Sequence, residues 1–228
     1  MVWQRKQVLV LVPVCLALLA GGANRSNGQA PAKSDQEITA TAEVAEQQYC
    51  ENYPDAVTVF MKLRVRFANH SHKSIILAKS LEPPSRVRAS SSWENARRGV
   101  FEYEPNVFKV SSTPPVPSRL GEKPDPNRFV TLNPGDAYET IIWSGLIVDP
   151  RKPEVPGGIG TGQHVMQVFV DTWPYDDVEP EKLAAKWQAR GQLVFGQILT
   201  NLFPFSIPVR LKAPSCQHFT LPEAYRAR

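Results

Sequence analysis

The sequence predicts an all-β fold, an antiparallel β-sandwich with one short inserted helix. Three observations carry that reading. Val59, Met61, Leu63, Val65 and Phe67 alternate with Thr58, Phe60, Lys62, Arg64 and Arg66, the period of a strand with one face on a core and one in water. Further strand-like runs recur at short intervals between turns rich in the chain's 21 prolines and 13 glycines. No strand–helix–strand alternation is present, which disfavours a parallel, Rossmann-type enzyme.

The elements follow in order. Residues 31–48 are polar, alanine-rich and weakly patterned. They read as a tether with at most a turn or two of helix, so 31–56 forms a tether and N-terminal segment ahead of a sandwich domain at 57–228. The alternating strand starts at Val57, residues 69–73 make a turn, and 74–79 return as a second strand. Residues 82–98 hold Pro83, Pro84 and four arginines and read mostly as loop, with a short strand near Val87. Residues 100–103 and 107–110 are strand-like, and 111–127, with five prolines, form an extended surface loop. A short strand at 129–132 meets Asn133-Pro134-Gly135-Asp136, which has the chemistry of a tight turn, and 137–148 is strand again.

After a Pro/Gly loop at 150–162, residues 164–173 are apolar on both faces and predict a central strand. Pro180 and Gly191 bracket a helix over 180–190. Leu183 and Trp187 share one of its faces, and the helix is expected to cover an end or open edge of the sandwich with Trp187 as anchor. Strands at 193–199 and 205–209 complete the set.

The first 30 residues carry the marks of an export signal. Arg5 and Lys6 precede an uncharged apolar run at 8–20, and a small, polar stretch closes the segment. The run is shorter than the ~20 residues that span a bilayer, so cleavage after Ala23 or Ala30 is expected, with no membrane span afterwards. Cleavage at the later site removes Arg5, Lys6 and Arg25, leaving 23 of 26 cations against 22 acids. That near-neutral balance removes the electrostatic case for nucleic acid or an anionic membrane. The destination is periplasmic or extracellular. With Cys15 gone in the leader, Cys50 and Cys216 remain near the two ends of the domain, and in an exported chain they are expected to form a disulfide. Closing so long a loop contributes roughly 5 kcal/mol at most.

No constellation assembles a catalytic set. Gly157-Gly158-Ile159-Gly160-Thr161-Gly162 resembles a phosphate loop only in composition, because a strand and not a helix follows it. His70 and His72 supply two ligands at most, too few for structural zinc, and no metal or other cofactor is expected. Glu102 and Glu104 fall about 7 Å apart if extended, a separation that suits glycoside hydrolysis and equally a solvated strand face. Asp171, Asp176, Asp177 and Glu179 lack the spacing of a calcium loop; Asp176 or Asp177 suits the start of the helix. Asn69-His70-Ser71 matches the N-glycosylation pattern. Trp93 with Arg86, Arg88, Arg97 and Arg98 is the best candidate surface, since tryptophan and arginine together suit protein hot spots and anionic-polymer contacts.

Leu132-Asn133-Pro134-Gly135-Asp136, then Trp143, then Gly162-Gln163-His164 leading into a strand, resembles the turn-and-strand pattern of bacterial exported immunoglobulin-like domains. It is distantly similar to the bacterial intracellular proteinase inhibitor family. The resemblance covers residues 57–170 and implies an immunoglobulin-like sandwich; the export signal, the long 82–127 region and the inserted helix depart from that inhibitor family. The expected function is non-enzymatic: an exported immunoglobulin-like module that binds a protein or a cell-envelope polymer. The alternatives are a polysaccharide-active enzyme using Glu102 and Glu104, and a protease inhibitor.

Overall fold

A computed structural model describes residues 37–53, 56–79, 85–108, 121–148, 159–173, 179–208 and 215. The chain divides into two units, Met1–Ser34 and Asp35–Arg228, and every described residue belongs to the second. The expected leader at 1–30, residues 31–36, Cys216, Asp176, Asp177 and most of the two proline-rich loops lie outside the described residues. No described helix is long and apolar enough to cross a membrane.

In chain order the first strands are β1 (Ile38–Tyr53), β2 (Ala56–Asn69), β3 (Ile75–Ala78) and β4 (Arg86–Ser90). Helix α1 (Trp93–Arg97) precedes β5 (Asn106–Phe108), β6 (Phe129–Leu132), β7 (Ala137–Val148) and β8 (Gly162–Asp171). Helix α2 (Pro180–Trp187) is followed by β9 (Gln192–Leu193), β10 (Gln197–Leu199) and β11 (Phe203–Ile207). They form an all-β, sandwich-like fold of mostly antiparallel sheets. One sheet runs β1-β2-β7-β5. In a second, β8 is central, with β4 on one side and β10 and β11 sharing the other. The third is β6-β3-β9.

The core follows from the alternation. Val59, Met61, Leu63, Val65 and Phe67 of β2 are all fully buried, while Arg64 and Arg66 face water. Against them pack Val87 and Ala89 of β4, Met166, Val168 and Val170 of β8, and Phe203, Phe205 and Ile207 of β11. Each such side chain contributes about 1.5–3 kcal/mol by leaving water. The edge of the first sheet is tied to the second where Ala40 bridges Thr200 and the Ala42 amide donates to Asn201 Oδ1 at 2.7 Å.

Strand β3 is buried on both faces. Ile75 and Leu77 join the main core, whereas Ile76 and Ala78 join Phe129, Leu193, Leu183 and Trp187 in a second cluster. Helix α2 therefore lies over the outer face of the small sheet, rather than over an end or open edge. Its anchor is Trp187, as expected: fully buried, edge-on to Phe129 at 5.0 Å, with Nε1–H donating to the Gly121 carbonyl at 3.2 Å.

Three further sequence expectations are corrected. Residues 38–53, read as tether, form the long strand β1, paired with β2 along its length. Ala40 and Ala42 are its core-facing residues, and a register shift between Val44 and Glu46 moves the inward-facing set from even to odd positions. Residues 193–199, read as one strand, are two. The chain breaks at Gly196, whose φ of 106° favours glycine and whose carbonyl accepts from Thr172 N and Oγ1. The segment β9 pairs in parallel with β3, and β10 crosses to β8. Residues 92–98, read as loop, hold α1, so the described fold has a second, shorter helix.

Two buried polar positions fix the ends of strands. Asn69 is fully buried; its amide donates to the carbonyls of Lys73 and Leu132, and its Oδ1 accepts from Ser71 N and Oγ. That side chain is committed to joining β2, β3 and β6, so the folded chain does not present it as a glycan acceptor. Cys50 is fully buried on β1. The adjacent Glu51 bridges Ser215, the neighbour of Cys216 in sequence.

Candidate interaction surface

Strand β4 leaves the sheet at Ser90 and re-enters order within three residues as α1. Five residues of helix are too few to persist by propagation alone, so the ends decide whether the turn forms. At the start, Ser92 Oγ accepts from the Asn95 amide at 3.1 Å, satisfying one orphan donor. At the end, Gly99 N donates to the Ala96 carbonyl and Val100 N to the Asn95 carbonyl. This is the paired closure that needs a left-handed residue after the last turn, and Gly99 has φ 76°. Arg98 caps the helix through its backbone N–H, and its side chain is exposed.

Glu102 braces this arrangement from outside the helix. Its carboxylate accepts from Ser91 N at 3.0 Å, Ser91 Oγ at 3.1 Å and Asn95 Nδ2 at 2.7 Å. Partial burial pushes its pKa upward, but the donors from the Ser91 backbone and Asn95 outweigh that and hold it below the ordinary value of 4.5. Among the described residues, residues 100–103 meet the sheet through an isolated bridge between Tyr103 and Ala89. Glu102 and Glu104 are thus not a free pair on a strand face. The first is an ionised carboxylate taken up by structure, the opposite of the raised pKa a glycosidic general acid needs.

The braced helix presents Trp93 to solvent, 42% exposed, with the Arg97 guanidinium 5.6 Å from the ring centroid. Those residues stand four apart and share a face. Val100, just past the cap, is also exposed. On β4, Arg86 and Arg88 point away from the core because Val87 and Ala89 point into it. Their guanidinium carbons lie 5.9 and 4.4 Å from the ring centroid of Phe169 on β8. Leu199 of β10 pairs with Phe169 on its other side and is half exposed. Across the outer face of that sheet, a row Leu199–Phe169–Arg86 is therefore set by register.

Four of the five expected site residues take part in cation–π contacts on two rings, Arg97 on Trp93 and both Arg86 and Arg88 on Phe169. Arg98 joins neither among the described residues. Phe169 and Leu199 were not anticipated as surface groups. The run 164–173 looks apolar on both faces, and only the cross-strand partners show which side is open. Ser92 and Gly99 were the available signals for α1: a capping serine and a terminating glycine seven residues apart.

The other sequence candidates are accounted for locally. His70 Nε2 lies 2.9 Å from Thr39 Oγ1 and His72 is exposed. Among the described residues, no three His, Cys, Asp or Glu side chains gather to hold a metal ion. Gly162 opens β8 and not a helix. Glu179 occupies the N-cap of α2 and pairs with Lys182 at 2.8 Å. His164, buried beside Phe205, is bonded through Nε2 to the Gly160 carbonyl. Burial holds its pKa below 6.5, against the opposing pull of Gly160 and Glu102. No protein-family model matches the chain, and no curated protein matches it.

Proposed function

We propose that this chain is an exported, non-catalytic immunoglobulin-like module that binds a protein or a cell-envelope polymer through the α1–β4 surface. One observation carries the reading. A five-residue helix is capped at both ends and braced by Glu102, yet its large aromatic stays 42% exposed beside a guanidinium. Hydrogen bonding rather than core burial organises the element, which leaves its tryptophan free for a partner.

The test is a crosslinking pull-down from the native envelope fraction with Trp93→Ala/Arg97→Ala beside the parent protein. The parent captures a partner and the double variant loses it, with circular dichroism unchanged. Equal capture by both proteins removes the surface assignment.

In the same reading Cys50 pairs with Cys216, closing the domain end to end. Support comes from the full burial of Cys50 and the Glu51–Ser215 bridge beside it. The denatured, leader-free protein is expected to show no thiol to Ellman's reagent until it is reduced. Two thiols before reduction would refute the pairing.

A further inference from the structure

A concavity lies where α2 ends and the chain turns into β9, and it shares no residue with the α1–β4 surface. It has a volume of about 680 Å³. Lys73 and Arg190 line it, and among the described residues no carboxylate does. Neither cation has an acidic partner among the described residues. The amides of Gln188 and Gln192 add hydrogen-bonding groups around them, while the Ser74 hydroxyl donates to Asn133 Oδ1 at 3.1 Å.

The backbone beneath is fixed. Gln192 N donates to the Ser74 carbonyl at 2.8 Å, and Arg190 N to the Trp187 carbonyl at 2.7 Å. At Gly191 a Cβ would come within 2.8 Å of the Ser74 carbonyl oxygen, so only glycine lets the two segments approach this closely. The two cation-bearing segments are therefore held together before any ligand arrives, which lowers the ordering cost of binding.

Phe195, 41% exposed, borders this cleft and also a second one of about 480 Å³. The second cleft is lined chiefly by apolar groups, among them Ile38, Val194 and Ile198, with Glu37 as its acid. A cationic hollow thus adjoins an apolar one across an exposed aromatic ring.

We infer that this joint is a binding site for a small organic anion. Its carboxylate or phosphate lies between Lys73 and Arg190, and its aromatic or short aliphatic body lies on Phe195. A guanidinium and an ammonium both form strong charge-assisted hydrogen bonds to such a head group. An apolar body gains from covering the ring, whereas a second negative charge at the far end would meet Glu37.

Titration of the purified protein with benzoate, phenyl phosphate and benzyl alcohol, followed by amide-resolved NMR, tests this. Benzoate or phenyl phosphate is expected to give saturable shifts centred on Gly191, Gln192 and Phe195, with benzyl alcohol at least about tenfold weaker. The tighter of the two anions identifies the head group. Lys73→Gln/Arg190→Gln should weaken both anions by at least about tenfold, while Phe195→Ala should weaken benzoate and leave acetate unchanged. Benzyl alcohol binding as tightly as the anions, or no saturation by about 10 mM, overturns the site. Those two outcomes are read on the unaltered protein, so they hold even if the double substitution disturbs the fold.

Discussion

The two described helices each carry a tryptophan, and they treat it in opposite ways. In α2, Trp187 is fully buried between β3, Phe129 and Leu193, although the N-cap Glu179 makes no side-chain capping bond. In α1, Trp93 is 42% exposed, while both helix ends are capped and Glu102 adds three hydrogen bonds. Packing holds the first helix and polar bonds hold the second. An element stabilised by its ends keeps a side chain available that an element stabilised by its face cannot spare.

The comparison breaks most sharply at Trp187. Trp187→Ala removes the anchor of the second core cluster and is expected to lower stability by about 4 kcal/mol. Urea unfolding should show a lower midpoint with an unchanged slope. A loss below about 1 kcal/mol would mean that α2 is held by its ion pairs, Lys182 with Glu179 and Lys186 with Glu122, contrary to the burial argument.

How far this contrast was legible in the sequence depends on what each element uses as its signal. Trp187 was readable as an anchor because Leu183 lies four residues before it, between Pro180 and Gly191. The strand β2 was readable because its two faces meet different solvents. By contrast, β1 was hidden. Alanines replace larger core residues at 40 and 42, and the shift near Ala45 inverts the alternation midway. The α1 helix was hidden because its signals are two caps inside a stretch dominated by prolines and arginines. The arginines of the candidate surface were visible by composition. Their partner Phe169 was not, since the contact depends on the register between β4 and β8, which no local pattern encodes.

Glu102 tests the polar half of the comparison. Glu102→Ala removes the acceptor for Ser91 and Asn95 and should cost about 1–2 kcal/mol, at the low end because the carboxylate is exposed. Its pH dependence has a definite sign. The folded-state pKa lies below 4.5, so the carboxylate's contribution is complete above about pH 4.5 and is lost as pH falls through the lower, folded value. The stability gap between parent and Glu102→Gln should therefore be flat at neutral pH and close in acid. His164 follows the same direction in a separate window. Its folded pKa lies below 6.5, so its contribution starts to fall only as pH drops below about 6.5. His164→Phe should remove that upper limb alone.

Ser92→Ala should cost about 1 kcal/mol, through loss of the bond to the Asn95 amide. Combined with Glu102→Ala it should cost less than the sum, because both substitutions release Asn95 and share its order. Additive losses in a double-mutant cycle would show that the cap and the brace act independently.

The smallest expected stability change belongs to the residue with the largest expected functional effect. Trp93→Ala removes an aromatic that is partly solvated and whose described ring contact is an exposed cation–π pair with Arg97. Such pairs contribute about 0.5–1 kcal/mol, and alanine's higher helix propensity offsets part of that. Stability should change by less than about 0.5 kcal/mol, while capture of the partner falls at least tenfold if Trp93 is a hot spot. A loss of 2 kcal/mol or more would place Trp93 with Trp187 as a structural anchor, and the contrast between the two helices would fail. Unchanged stability with unchanged capture would keep the contrast and remove only the partner from this face.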